Sequence, residues 1–251
     1  MSRNLKVSVI TVSFNAENCI EATIQSVLAQ NYPDIEYIII DGASNDGTMA
    51  IVNKYHPKIS KIISEKDNGI YDAMNKGINL ATGDIIYFLN ADDRFYDNRV
   101  IADIADEFDR TNETDVVCGK TQLVNAPPGF TLPARHSMET IFSQKREIIL
   151  TQICHQRIFC KKRVFDKTGL FDTQYRIFAD YDWFLKVYTR GIAVRYIPRY
   201  VAFYNFQGRS QRAGYSALHE KLRIILKNSF WDFIVYTWDK FCAVLSGLLR
   251  L

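Results

Sequence analysis

Carboxylates in this chain gather where they are either costly or useful. The clearest case is residues 86–93, IYFLNADD. An apolar run, Ile85 to Leu89, ends abruptly in Asn90, Ala91, Asp92 and Asp93. The run reads as a strand buried on both faces. Two adjacent carboxylates at the end of such a strand are unfavourable unless something positive sits there. A hard divalent cation carrying phosphate oxygens meets that need. A solvated turn with Asp93 as a helix N-cap is the plainer alternative.

Two more acidic groups follow apolar runs in the same way. Asp41 ends IEYIII, residues 35–40, and Glu65 and Asp67 follow the segment from Ile59 to Ser64. Asp41 opens DGASNDGT, residues 41–48. Gly42 and Gly47 permit unusual backbone angles there, and Asn45 or Asp46 can cap the next helix. A strand–turn–helix corner accounts for that much. It does not account for Asp41, which precedes the turn. A carboxylate in that place can accept hydrogen bonds from the N–H edge of a base or from ribose hydroxyls.

The elements that must position these groups are legible in the first 95 residues. Val7–Phe14, Ile35–Ile40, Ile59–Ser64 and Ile85–Leu89 read as strands. Helical spacing separates them over 18–30, over 48–55 and after residue 69, where Ile70, Ala73, Met74, Gly77, Ile78 and Ala81 form the inner side. Four strand–helix alternations predict an α/β fold with a parallel sheet and right-handed crossovers. Ligands of such sheets bind at the carboxyl ends of the strands. Asp41, Glu65 with Asp67, and Asp92 with Asp93 all fall at those ends, which argues for one site. Neither G-x-G-x-x-G nor G-x-x-x-x-G-K-[ST] occurs, which disfavours a dinucleotide site and a P-loop.

Beyond residue 94 the pattern predicts a helix over 94–114, a strand over 115–123 and a loop over 125–137. His155-Gln156 precedes an apolar stretch, and FADYDWFLK, residues 178–186, holds Asp180 and Asp182. Asp180 can cap a helix over 181–189. NFQGRSQRAGY, residues 205–215, reads as a Gly-containing basic surface loop. From residue 216 the chain reads as helical. Phe230, Ile234, Trp238, Phe241, Leu245, Leu248 and Leu249 share one face of the last segment. That face can pack on the core, dimerise or lie in a membrane interface as a peripheral contact through 230–251.

Composition limits the classes. The 251 residues are 47% hydrophobic, enough for one large core. A net charge of +3 carries no nucleic-acid signature. The five cysteines are scattered without a CxxC pair, so reduced thiols are expected rather than zinc or disulfides. The N-terminal segment reads as a first strand rather than a signal peptide. No charge-free run approaches the ~20 residues of a membrane span. A cytoplasmic location is expected, with the inner membrane face as an alternative.

VSVITVSFN, DGASNDGT, EKDNGIYDAMNKG and FLNADD, in this order and spacing, resemble the family 2 glycosyltransferases of GT-A fold. The resemblance covers about the first 210 residues and looks nearest to bacterial surface-polysaccharide enzymes of the WcaA/WcaE type. It implies a GT-A domain over 1–215, with a nucleotide-sugar half at 1–95 and an acceptor half at 96–215, followed by amphipathic helices over 216–251. It implies inverting transfer of a sugar from a nucleotide donor, usually UDP-linked, to a saccharide or polyprenyl-linked acceptor. Carried over by position, Thr11 and Asn15 line the nucleotide pocket, Asp41 binds the base, and Asp67 lies near base and ribose. Asn90-Ala91-Asp92 stands for the D-x-D element, with Asp92 on Mg²⁺ or Mn²⁺ and Asp93 beside the metal or donor sugar. Asn90 departs from the usual first carboxylate and is at best a ribose contact. Asp180 falls at the general base, with Ala179 where many relatives have Glu. His155 and Gln156 turn toward the acceptor or donor sugar, and Ser210 or Arg212 toward phosphate. A nucleotidylyltransferase of the same fold would want a basic Gly-rich loop after strand one, which SFNAENC lacks. A non-catalytic sugar-nucleotide-binding module would not need both Asp92 and Asp180.

Overall fold

The computed structural model describes residues 5–111, 113–126, 153–206 and 214–228. Strand β1 (Val7–Ser13) is buried along its whole length, because it lies between two parallel neighbours with helices on both faces. On one side it pairs with β2 (Ile35–Asp41), which in turn pairs with β3 (Lys61–Ser64). On the other it pairs with β4 (Ile85–Phe88). Beyond β4 the sheet becomes mixed. It continues through β7 (Ile158–Lys161), β6 (Val116–Val124), β8 (Val194–Asn205) and β5 (Arg94–Phe95), giving the order β3-β2-β1-β4-β7-β6-β8-β5.

The pleat sorts alternate residues onto two cores. Val7, Val9, Tyr37, Ile39, Ile85 and Tyr87 face α1 (Ile20–Leu28), α2 (Thr48–Lys54) and α4 (Val100–Arg110). Ile10, Ile38, Ile40, Ile86 and Phe88 face the other layer. That layer holds α3 (Ile70–Leu80), α5 (Arg163–Thr168), α6 (Ala179–Thr189) and α7 (Gly214–Asn228). Gly77 lets α3 lie close on β1, since a Cβ there would run into the Ile10 side chain. The expected α/β architecture, mostly parallel and flanked by helices, is the one observed.

One expected element differs. The helix predicted over 94–114 begins only at Val100. Arg94 and Phe95 instead pair antiparallel with Phe203 and Ala202 of β8. Phe95 is buried and its ring stacks at 5.2 Å from Tyr87, so packing across the sheet overrides local preference. The helical apolar spacing, Val100, Ile101, Ile104, Ala105 and Phe108, starts where the helix does. Among the described residues no helix is long and apolar enough to cross a membrane. Residues 230–251, with their expected membrane-facing helix, lie outside the described residues.

Candidate active site

The sheet order reverses at β1, whose neighbours are β2 and β4, and a cleft opens at the carboxyl ends of these strands. It encloses about 690 Å³. Its walls are the end of β1, the start of α3, the turn after β4, the 155–157 turn and the segment leading into α6.

At one end the chain leaves β1 through Phe14 and Asn15. Phe14 presents a half-exposed ring to the cleft. Asn15 takes a left-handed φ of 49°, and its Oδ1 accepts the Asn45 N–H at 3.0 Å. Gly42 lies beside them. A Cβ on Gly42 would overlap the Asp67 carboxylate and press on the Phe14 ring. Asp67 Oδ1 accepts the Gly69 N–H at 2.8 Å, which anchors it at the entry to α3. Asn15 and Asp67 therefore both line the cleft.

Two other expected nucleotide contacts do not reach the cleft surface. Asp41 is fully buried and accepts from Ser13 Oγ at 3.1 Å, Ser44 N at 2.9 Å, Ser44 Oγ at 2.5 Å and Ser64 Oγ at 2.7 Å. These four donors use the carboxylate's acceptor capacity and tie β1, β2 and β3 to the 42–47 turn. Thr11 is fully buried too, 3.2 Å from the Tyr37 hydroxyl. Both stand behind the wall. Glu65 is turned outward onto Lys76 Nζ at 2.8 Å.

The turn after β4 splits its two carboxylates. Asp92 lines the cleft, and burial raises its pKa from the ordinary aspartate value. Asp93 points inward, 1% exposed, where it accepts from Asn205 N at 3.0 Å and Gln156 Nε2 at 3.0 Å. Burial and then the Asp92 charge push Asp93 up to about 7. Such a pair is a place where positive charge would be stabilised. Among the described residues no group of three or more His, Cys, Asp or Glu side chains could cage a metal. The Asp92 carboxylate instead suits an ion carried largely by ligand phosphates and water, as Mg²⁺ commonly is.

Beside this turn lies a hydrogen-bonded group built on Asp180, in the first turn of α6 and 6% exposed. His155 donates twice to its Oδ2, from the backbone at 3.2 Å and from Nδ1 at 2.9 Å. Asp180 Oδ1 accepts from Tyr181 N at 2.9 Å and from the Tyr71 hydroxyl at 3.0 Å. The same hydroxyl lies 2.7 Å from the Ile177 carbonyl oxygen. His155 Nε2 faces Asn90 Oδ1 at 3.2 Å, so the imidazole bridges Asp180 to the turn that carries Asp92. The Phe88 ring meets the imidazole edge-on at 6.4 Å. Gln156 also lines the cleft, and its buried Oε1 has no partner among the described residues.

Asn90, Asp92, His155, Gln156 and Asp180 thus meet in one cleft with Asn15 and Asp67, and Asp93 lies just beneath. Ser210 and Arg212 lie outside the described residues. Sequence reasoning missed Phe14, Tyr71 and Arg176. Tyr71 sits in EKDNGIYDAMNKG, and the helical pattern placed Ile70 inward where the structure buries Tyr71. Arg176 is the one Lys or Arg that lines the cleft among the described residues, and it is exposed.

The family model described as Glycosyl transferase family 2 matches residues 8–169. A PGL/p-HBAD biosynthesis glycosyltransferase of Mycobacterium bovis is 30% identical over 202 residues, 79% of this chain and 76% of that one. The putative teichuronic acid biosynthesis glycosyltransferase TuaG of Bacillus subtilis is 41% identical over 92 residues, 36% of each chain. S. aureus TarS 1-349 in complex with UDP-GlcNAc superposes with a TM-score of 0.72 at 20% identity, over 88% of this chain and 66% of that one. The mannosyltransferase PcManGT of Pyrobaculum calidifontis, with GDP-Man and Mn²⁺, gives 0.65 at 20% identity, over 99% and 79%. The likeness to WcaA/WcaE-type enzymes is approximate.

Proposed function

We infer the reaction from the family: the chain belongs to glycosyl transferase family 2 and is a glycosyltransferase of GT-A fold. We propose that it moves a sugar from a nucleotide donor, UDP-linked by preference, to a saccharide or lipid-linked saccharide acceptor in bacterial surface-polysaccharide synthesis, with inversion. TarS with UDP-GlcNAc and the putative teichuronic acid enzyme TuaG support the donor and the pathway class. The observation that carries the reading is one cleft that holds the Asp92 carboxylate beside the Asp180–His155 pair.

In this reading the base lies on Phe14, between Asn15 and Asp67, and Gly42 leaves room for it. Asp41 acts from behind by holding the three strand ends in register. Asp92 would hold a divalent ion together with the donor diphosphate; when bound, that ion stabilises negative charge on the departing nucleotide. PcManGT with GDP-Man and Mn²⁺ supports that cofactor class. Asn90 meets ribose or the ion's shell, and Gln156 Oε1 takes a donor-sugar hydroxyl. Arg176 places a positive charge against phosphate.

Asp180 takes the proton from the acceptor hydroxyl as its oxygen attacks the anomeric carbon. Four donors surround the carboxylate, which would leave no lone pair for that proton. Tyr71 resolves the conflict. Its single hydroxyl hydrogen can go to the Ile177 carbonyl, 2.7 Å away, and Oδ1 then carries one donor fewer and is the better proton acceptor. His155 Nδ1–H holds Oδ2 meanwhile.

The test is a thermal-shift screen of UDP, GDP and dTDP sugars, each with and without Mn²⁺. A ligand that binds only the folded state raises the melting temperature. A Mn²⁺-dependent rise with a uridine nucleotide is expected. No rise with any nucleotide sugar would refute the donor reading.

A further inference from the structure

Helix α7 is packed along the segment that carries Asp180, both beyond residue 169, where the matched family span ends. Ile224 and Ile225 are buried in the same core as Phe171, Tyr175 and Phe178. Lys227 Nζ reaches Asp172 Oδ2 at 3.2 Å and lies over the Tyr175 ring. Lys221 lies over the Tyr181 ring at 5.3 Å. Glu220 makes the closest connection. Its carboxylate accepts three consecutive backbone N–H groups: Arg176 at 2.9 Å, Ile177 at 2.8 Å and Phe178 at 2.7 Å. Charge-assisted bonds of this kind are the strong ones.

The peptide unit between Ile177 and Phe178 is held at both ends. Its N–H donates to Glu220, and its carbonyl oxygen lies 2.7 Å from the Tyr71 hydroxyl. That hydroxyl is also the one 3.0 Å from Asp180 Oδ1. A peptide polarised by a carboxylate at its N–H is a better acceptor at its oxygen. Carboxylate, peptide, hydroxyl and base thus form one chain, reaching from α7 to the cleft.

We propose that Glu220 is a positioning residue for the base: it holds the 177–178 peptide so that Tyr71 donates to the Ile177 carbonyl and withholds its hydrogen from Asp180 Oδ1. The inference rests on Asp180 being the base. It makes α7 a working part of the active site, and it makes the Tyr71 hydroxyl the member that chooses between two acceptors. A helix that merely covered the core would need its isoleucines, and not a carboxylate on three amides.

The experiment compares Glu220→Gln, Glu220→Ala, Tyr71→Phe and the Glu220→Ala/Tyr71→Phe double variant in the full chain. Sugar transfer and amide hydrogen exchange are both measured. Glu220→Ala is expected to lower kcat by about 10- to 100-fold while the donor KM stays within about 3-fold. Glu220→Gln keeps one acceptor oxygen and falls between. Because the two residues act in one chain, the double variant should be no slower than the worse single one. Exchange should quicken at the amides of 176–178 and also at those of Tyr181 and His155, which bind Asp180. Exchange that quickens only at 176–178, or a kcat for Glu220→Ala within about twofold of the wild type, would overturn the proposal. Full transfer by Asp180→Ala would instead refute the base assignment itself.

Discussion

His155 separates two explanations of how Asp180 is held. Its imidazole donates from Nδ1 to Asp180 at 2.9 Å, while its backbone N–H donates to the same oxygen at 3.2 Å. His155→Ala removes the first bond and spares the second. It also removes the bridge to Asn90. A hydrogen bond to a charged group is worth about 1.5–3 kcal/mol. At about 1.4 kcal/mol per decade, its full loss in the transition state lowers kcat by about 10- to 150-fold. His155→Asn restores a side-chain N–H on the Asp180 side without the link to Asn90, and should recover most of that loss. Steady-state nucleotide release from the donor measures kcat, and calorimetry measures nucleotide affinity. The affinity should stay within about threefold for both variants, because the imidazole acts on the base. A His155→Ala enzyme with wild-type kcat would refute the positioning role. Equal losses of kcat and nucleotide affinity would show that the imidazole serves the donor instead.

Two further outcomes follow from the same structure. Gly42→Ala places a Cβ against the Asp67 carboxylate and the Phe14 ring; nucleotide affinity should fall about 10-fold by calorimetry, with kcat at saturating donor changed less. Glu36 concerns stability. Burial opposes its charge, but hydrogen bonds from Ser8, Thr82 and Lys61 outweigh burial and hold its pKa at about 2, against an ordinary 4.5. A lowered carboxylate pKa stabilises the fold above the unfolded value, and that contribution fades as pH falls from about 4.5 toward 2. It amounts to about 3 kcal/mol at neutral pH. Denaturant titrations should therefore show wild type losing its advantage over Glu36→Gln across that window, and an advantage independent of pH would contradict the assignment.

The strands and the acidic strand ends were legible because each is a local pattern. An apolar run that stops at a carboxylate can be read in eight residues. The strand-end pattern marked Asp67 and Asp92 and the family motifs added Asn15, and all three line the cleft. What local pattern cannot carry is which way a side chain turns. Asp92 and Asp93 are neighbours, yet one faces the cleft and the other accepts from Gln156 and Asn205. Asp41 stands at a strand end as expected, and three serines from three segments draw it inward. Arg94 and Phe95 pair with a strand more than 100 residues away, which no helical periodicity could reveal. The chain from Glu220 through the 177–178 peptide and Tyr71 to Asp180 joins positions 71, 177, 178, 180 and 220, so it exists only once the fold brings α3, α7 and the segment leading into α6 together.

The most direct test of the central claim is the separation of chemistry from donor binding at Asp180. Asp180→Asn keeps the shape and replaces the acceptor carboxylate with an amide. Transfer from the nucleotide sugar and nucleotide affinity are measured on the same folded preparation, beside Asp92→Asn. With Asp180 as base and Asp92 at the diphosphate, Asp180→Asn should lose about 10²- to 10⁴-fold in kcat with nucleotide affinity retained. Asp92→Asn should lose Mn²⁺-dependent nucleotide affinity. Transfer by Asp180→Asn at the wild-type rate would contradict Asp180 as the base.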